Sequence, residues 1–172
     1  MRRVALLLGI AAGSISAQSV AGSGGAVAAS RELWRDAHNY VQRSAEQLPD
    51  SLYSFKPTPA VRSFGELVGH VAGSEYMFCA AVLGEPGRTE DAVEKTAKTK
   101  AALVQALKDA GTYCDRAYAM TDAAAGATVS LFGGNGTKLY YLTMNATHDW
   151  EHYGNLVTYL RLKGLTPPSS QR

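Results

Sequence analysis

The sequence predicts an all-α fold, a single four-helix bundle, and three observations support this. Apolar residues recur at helical spacing in four separate segments. Proline-rich or glycine-rich stretches separate the segments, and no stretch has a convincing strand pattern. The chain has 172 residues, of which 46% are hydrophobic, and this suits one domain with one core.

The first residues have the layout of a cleavable secretory signal peptide. Arg2 and Arg3 precede an apolar run at residues 4–13, and small residues follow. The run is too short for a stable membrane span. Cleavage after Ala17 or after Ala28 fits the pattern, and the sequence does not decide between them. We expect a signal peptide and flexible tether over residues 1–28, a bundle over 29–172, and a periplasmic or secreted protein.

The charge balance excludes one class of partner. The chain has 17 basic and 15 acidic side chains, and loss of Arg2 and Arg3 with the leader would leave equal numbers. No basic patch with interleaved aromatic residues is present, which argues against nucleic-acid binding. Cys79 and Cys114 are the two cysteines. In an oxidising compartment they could form a disulfide, and otherwise they would be small buried apolar residues.

The first two helices have clear boundaries in the sequence. Ser30 is the predicted N-cap of helix 1, which Pro49 ends. A proline-rich segment, residues 49–62, then crosses one end of the bundle. Ser63 and Glu66 match a capping box at the start of helix 2, and Gly84 follows the end of that helix.

The second half of the chain contains two further helices. Residues 85–98 form a charged connection, long enough for helices 2 and 3 to run parallel. Helix 3 is predicted over residues 99–119, and residues 122–136 are predicted to be a glycine-rich loop. Helix 4 is predicted over residues 137–163, before Gly164 and two prolines.

Three of the four histidines could form a metal site inside this bundle. His148 and His152 are four residues apart and therefore lie on one face of helix 4. His70 in helix 2 could supply the third imidazole, which leaves a coordination position open for water or substrate. Glu151 is the candidate catalytic base, and Asp149 could orient an imidazole. His38 is expected to be a partly buried structural residue.

The segment from His148 to His152 also fits the HxxEH pattern of inverted zinc proteases, with Glu151 as the base. Those enzymes need a further acidic ligand downstream. No Asp or Glu follows His152, so the sequence argues against this class.

Several motifs together resemble the DinB/YfiT-like family of metalloenzymes. They are FKPTPAVRS before helix 2, RSFGELVGHVA around His70, and HDWEHYGNLVTYLRLKGLTPPSS from His148 onward. The resemblance implies an up-down-down-up four-helix bundle and frequent homodimers. It also implies a divalent ion, zinc, nickel, iron or manganese, on His70, His148 and His152. Some relatives use cytoplasmic low-molecular-weight thiols, from which an exported member departs.

We therefore expect an exported metal-dependent hydrolase or transferase that acts on a small molecule of unknown identity. The alternative is a metal-binding or stress-related helical bundle without catalytic activity.

Overall fold

The computed structural model describes residues 24–171, so most of the predicted signal peptide lies outside the described residues. The described part is mostly helical and contains one short β-hairpin. The helices are α1 Ala26–Gln47, α2 Phe64–Leu83, α3 Ala92–Thr96, α4 Lys100–Ala117, α5 Asp122–Ala125 and α6 Lys138–Leu162. The strands are β1 Thr128–Leu131 and β2 Gly134–Thr137, and 3-10 turns span Asp50–Leu52 and Pro168–Ser170. None of the described helices is both long and apolar enough to cross a membrane.

The ends of α2 confirm the predicted local signals. The hydroxyl of Ser63 accepts the backbone N–H of Glu66, and the Glu66 carboxylate accepts the backbone N–H of Ser63. Gly84 ends the helix in the left-handed conformation, with φ of 73°. A glycine adopts this conformation without the steric cost that a Cβ would bring.

The start of α1 differs from the prediction. Ser30 is not the N-cap, because the helix already begins at Ala26, and Ser30 is buried inside it. The carboxylate of Asp122 accepts the backbone N–H groups of Ala26 and Val27, each at 2.9 Å. A residue almost a hundred positions away thus satisfies the N–H groups that a local cap would satisfy.

Helices α2 and α4 run in the same direction. Gly65 at the start of α2 lies against Leu103 at the start of α4. Cys79 and Cys114, both towards the helix ends, form a disulfide with a Cα–Cα distance of 5.3 Å. The two cysteines are therefore bonded to each other and are not free thiols. The long connection after α2 allows α2 and α4 to run parallel.

Helices α1 and α6 form the second parallel pair. The indole of Trp150 donates to the carbonyl of Leu33 at 3.0 Å. Further along both helices, about two turns on α1 and one turn on α6, Tyr40 and Tyr153 stack with ring centroids 5.0 Å apart. These contacts advance in the same sense along α1 and α6.

The two pairs run in opposite directions. The early α2 residue Phe64 faces the late α6 residue Tyr159, whereas the late α2 residue Phe78 faces His148, which precedes Tyr159. The four long helices therefore follow the up-down-down-up order that the family resemblance implied.

Residues 122–136 are not simply the glycine-rich loop that we predicted. They contain α5, and β1 pairs antiparallel with β2 in a hairpin that continues to Thr137. Phe132 and Gly133 form its turn, and both have positive φ, 55° and 73°. Positive φ at both turn residues matches the twist of the flanking strands in a two-residue hairpin loop, but the residues found there are usually Asn or Gly rather than Phe. The Tyr141 hydroxyl lies 3.2 Å from the carbonyls of Leu131 and Gly134, one on each side of the turn.

Candidate metal centre

Three imidazoles from two helices meet inside the bundle. His70 comes from α2, and His148 and His152 lie one turn apart on α6. The Nε2 atom of His152 is 3.1 Å from Nε2 of His70 and 3.0 Å from Nε2 of His148. One ligand atom from each of the three residues falls within 4.8 Å of the other two. The structure thus brings together the three histidines that the sequence singled out.

These spacings suit donors around a common ion. Zinc–nitrogen bonds of about 2.0–2.1 Å in tetrahedral geometry place neighbouring donor atoms about 3.3 Å apart. Without an ion, the Nε2 of His152 faces two other ring nitrogens, and a neutral imidazole has one N–H to share among them. The donor set fits a divalent transition metal, for which imidazole is a common ligand.

The surroundings keep the imidazoles neutral. Burial lowers the pKa of His152 to about 3, helped by the neighbouring His148 and His70. Burial together with Arg62 lowers the pKa of His70 to about 4, and burial lowers that of His148 as well. Neutral imidazole is the metal-binding form, so proton competition at neutral pH is weak.

The Nδ1 atom of each of the three imidazoles has a polar group near it. His70 Nδ1 lies 4.0 Å from a Glu94 carboxylate oxygen, and His148 Nδ1 lies 3.9 Å from Asp149. The side-chain amide of Asn155 is 3.3 Å from His152 Nδ1. An imidazole that binds metal through Nε2 carries its proton on Nδ1, so the carboxylates of Glu94 and Asp149 are placed to accept that proton and to orient the rings of His70 and His148.

Asp149 belongs to a buried polar cluster behind the imidazoles. Asp149 and Glu75 are both fully buried, and burial followed by the charge of Glu75 raises the pKa of Asp149 well above its ordinary value. Glu75 accepts the Trp34 indole N–H at 2.8 Å and contacts His38 Nδ1 at 2.7 Å. Burial disfavours the charged form of His38, but Glu75 outweighs this and raises its pKa. His38 thus belongs to this cluster and lies outside the three-histidine set.

The carboxylate nearest the Nε2 atoms of the cluster is not that of Glu151, the predicted base. Glu151 is exposed on α6, and the structure gives its side chain no hydrogen bond or ion pair to the three imidazoles. Instead, Oε1 of Glu90 lies 3.5 Å from Nε2 of both His70 and His148. Glu90 is in the charged connection after α2, where no spacing or motif singles it out. Its only sequence signal is the acidic character of that connection.

A cleft of about 830 Å³ reaches the site from the side of His152. The proline-rich segment before α2 forms one wall, and the C-terminal half of α6 forms the other. Two cations in the cleft are paired, Lys56 with Glu66 at 2.9 Å and Arg62 with Glu94 at 3.1 Å. A small molecule in this cleft would contact the face of the cluster that His152 presents.

The fold and the three-histidine cluster define a helical bundle protein with a candidate metal centre. A family model of the DinB superfamily matches residues 32–156, and the chain belongs to that superfamily. No protein of curated function matches the sequence.

Solved structures share the fold at low sequence identity. A DinB-like protein from Bacillus cereus ATCC 10987 is 18% identical with a TM-score of 0.69, over 81% of this chain and 93% of its own. A DinB-like protein from Bacillus subtilis is 23% identical with a TM-score of 0.57, over 84% and 99%. A mutant of the mycothiol-dependent maleylpyruvate isomerase is 15% identical with a TM-score of 0.65, over 76% of this chain and 60% of its own.

Proposed function

We propose that the protein is an exported metal-dependent enzyme, a hydrolase or transferase of a small molecule. The observation that carries the proposal is the convergence of His70, His148 and His152 at spacings that suit one divalent ion. Such an ion would act as a Lewis acid on a group bound in the cleft. The chain itself would hold the ion, keep the imidazoles neutral and shape the cleft that receives the substrate.

The experiment is elemental analysis of the purified protein beside His70→Ala and His152→Ala. We expect about one zinc, nickel, iron or manganese ion per chain in the wild type and none in these variants. His38→Gln is the matched control, because it removes a histidine outside the three-histidine set and should keep the metal. Wild-type protein that carries no stoichiometric metal after reconstitution contradicts the proposal.

A panel of esters, amides and thiol adducts then tests catalysis. The enzyme proposal requires turnover of at least one compound and its loss in His148→Ala. The second candidate is a metal-binding bundle without catalysis, and the carboxylate of Glu90 beside the cluster favours it, since structural sites are closed by protein donors. A metal-loaded protein that is inert across the panel supports that candidate.

Export is part of the proposal, and the disulfide between Cys79 and Cys114 supports it, because disulfides persist in oxidising compartments. Cleavage after Ala17 would leave α1 whole, whereas cleavage after Ala28 would remove its first turn. We therefore favour Ala17. Mass measurement of protein recovered from the periplasm tests both points, and a mass that still includes Met1 to Ala17 contradicts them. Homodimerisation stays a prediction.

A further inference from the structure

We infer that Glu90 is a fourth donor to the metal ion, seated by two glycines of α2. This inference rests on the proposed function, because it requires an ion on the three histidines. It adds a ligand from the connection between α2 and α3, a part of the chain that carries no metal-binding motif.

Glu90 lies at donor spacing from two of the three imidazoles. Its Oε1 is 3.5 Å from Nε2 of His70 and 3.5 Å from Nε2 of His148, close to the donor spacing of about 3.3 Å around a tetrahedral zinc ion. The Ser74 hydroxyl, one turn after His70 on α2, lies 3.2 Å from the same oxygen. The Glu90 carboxylate is therefore held on the edge between two of the three imidazoles.

Two glycines on α2 let the connection approach this closely. A Cβ at Gly73 would lie 1.9 Å from the carbonyl oxygen of Glu90, and one at Gly69 would lie 2.8 Å from Cα of Glu94. Because the two glycines are one helical turn apart, they form a slot along α2 in which the backbone of residues 90–94 lies. Glycine is a poorer helix former than alanine, so helix stability alone does not favour the two glycines here.

The chemistry that follows is a mixed donor set of three imidazoles and one carboxylate. Carboxylate oxygen is a harder donor than imidazole and suits manganese and iron as well as zinc. A metal with five or six positions would still have room for a substrate group. The slot thus makes the connection part of the site. Whether the connection lies in the slot decides whether the chain fills three or four coordination positions of the metal.

Cobalt(II) is the probe, since its visible absorption reports coordination number and donor type. The reconstituted full-length protein is titrated in wild-type form and as Glu90→Gln, which keeps the side chain's size and removes its charge. Asp91→Asn is the control from the same connection, because the Asp91 carboxylate pairs with Lys95 and forms no ion pair with the three imidazoles. A lost ligand should weaken cobalt binding at least as much as a lost partner of a ligand, by about 10-fold or more.

The Gly73→Ala variant tests the role of the slot, because the added Cβ should displace the backbone at Glu90. It should therefore weaken cobalt binding and alter the visible spectrum as Glu90→Gln does. Gly154→Ala on α6 is its control, because a Cβ there meets nothing within 4 Å. We expect weaker cobalt binding and an altered visible spectrum in Glu90→Gln and Gly73→Ala, and wild-type behaviour in the two controls. A Glu90→Gln variant with wild-type affinity and spectrum overturns this inference alone. A wild type that binds no cobalt overturns the proposed function together with it.

Discussion

The carboxylate of Asp149, next to His148, allows a test in which one substitution changes metal affinity and the stability of the metal-free protein in opposite directions. Asp149 is fully buried, and neither of its oxygens has a hydrogen-bond partner among the described residues. The Nδ1 of His148 is likewise without such a partner and lies 3.9 Å from Asp149. When Nε2 binds metal, the proton on Nδ1 faces this carboxylate. We therefore expect Asp149→Asn to weaken metal binding and to stabilise the metal-free protein.

The size of the first effect follows from what asparagine keeps. Loss of a group that orients a metal ligand weakens binding by about 10–100-fold. Asparagine retains a carbonyl oxygen towards His148 and loses the charge, so we expect the lower end, about 10-fold or about 1.4 kcal/mol. The affinity is measured by competition with a chelator of known strength.

The second effect follows from the raised pKa of Asp149. The folded state holds this proton more tightly than the unfolded state, so the carboxyl contributes most below its ordinary pKa of 3.8. That contribution falls as the pH rises towards the folded-state pKa. Asparagine cannot ionise, so metal-free Asp149→Asn should be more stable than wild type at pH 8. The difference should shrink towards pH 4.

Urea denaturation at pH 4, 6 and 8, with the disulfide intact, measures this difference. Asp109→Asn is the control, because Asp109 is exposed on α4 and its carboxylate accepts a hydrogen bond from Gln105, one turn away and far from the histidines in sequence. It should change neither the metal affinity nor the pH dependence. An Asp149→Asn variant with metal affinity within twofold of wild type, or with lower stability at pH 8, refutes the reasoning.

Three further predictions concern the fold. Trp34→Phe removes a hydrogen-bond donor from a buried carboxylate and should lower the free energy of unfolding by about 2–4 kcal/mol. Trp150 is half-buried and its indole bonds a backbone carbonyl, so Trp150→Phe should lower the free energy of unfolding by about 1 kcal/mol. The capping box lowers the pKa of Glu66 to about 2, so the Glu66 carboxylate stabilises the fold fully above pH 4.5 and loses this effect towards pH 2. In a pH series of unfolding free energies, this loss should be absent from Glu66→Gln. Replacing both Cys79 and Cys114 by alanine opens a link across 35 positions, and calorimetry should show a loss of about 4 kcal/mol.

The parts of the structure that were predictable are those that nearby residues determine. The capping box at Ser63 and Glu66 needs three consecutive peptide units, and its signal is therefore visible in the sequence. The spacing of His148 and His152 fixes their common face in the same way. The place of His70 was predictable because its helix has a marked start and an apolar composition, which together put the imidazole inside the bundle.

The parts that were missed depend on contacts between distant residues. The start of α1 is set by Asp122, and no local pattern around Ala26 reports a cap from so far along the chain. The hairpin turn carries Phe132 at positive φ, where sequence rules expect Asn or Gly. Glu90 reaches the imidazoles because the connection lies on the glycine slot of α2, and the effect of that slot appears only when the two segments pack.

Helix α6 shows why the site and the core cannot be separated in this fold. Consecutive residues turn by about 100° on a helix. His148 and His152 therefore face the cluster while their neighbours Asp149 and Tyr153 are buried on an adjacent side. Both sides are enclosed, because α1 and α2 each pack along α6. A helix buried on two sides has a weak amphipathic pattern, so its polar core residues look misplaced in the sequence. In the folded chain the same residues link the imidazoles to the buried carboxylates, so a substitution at Asp149 acts on metal binding and on folding at once.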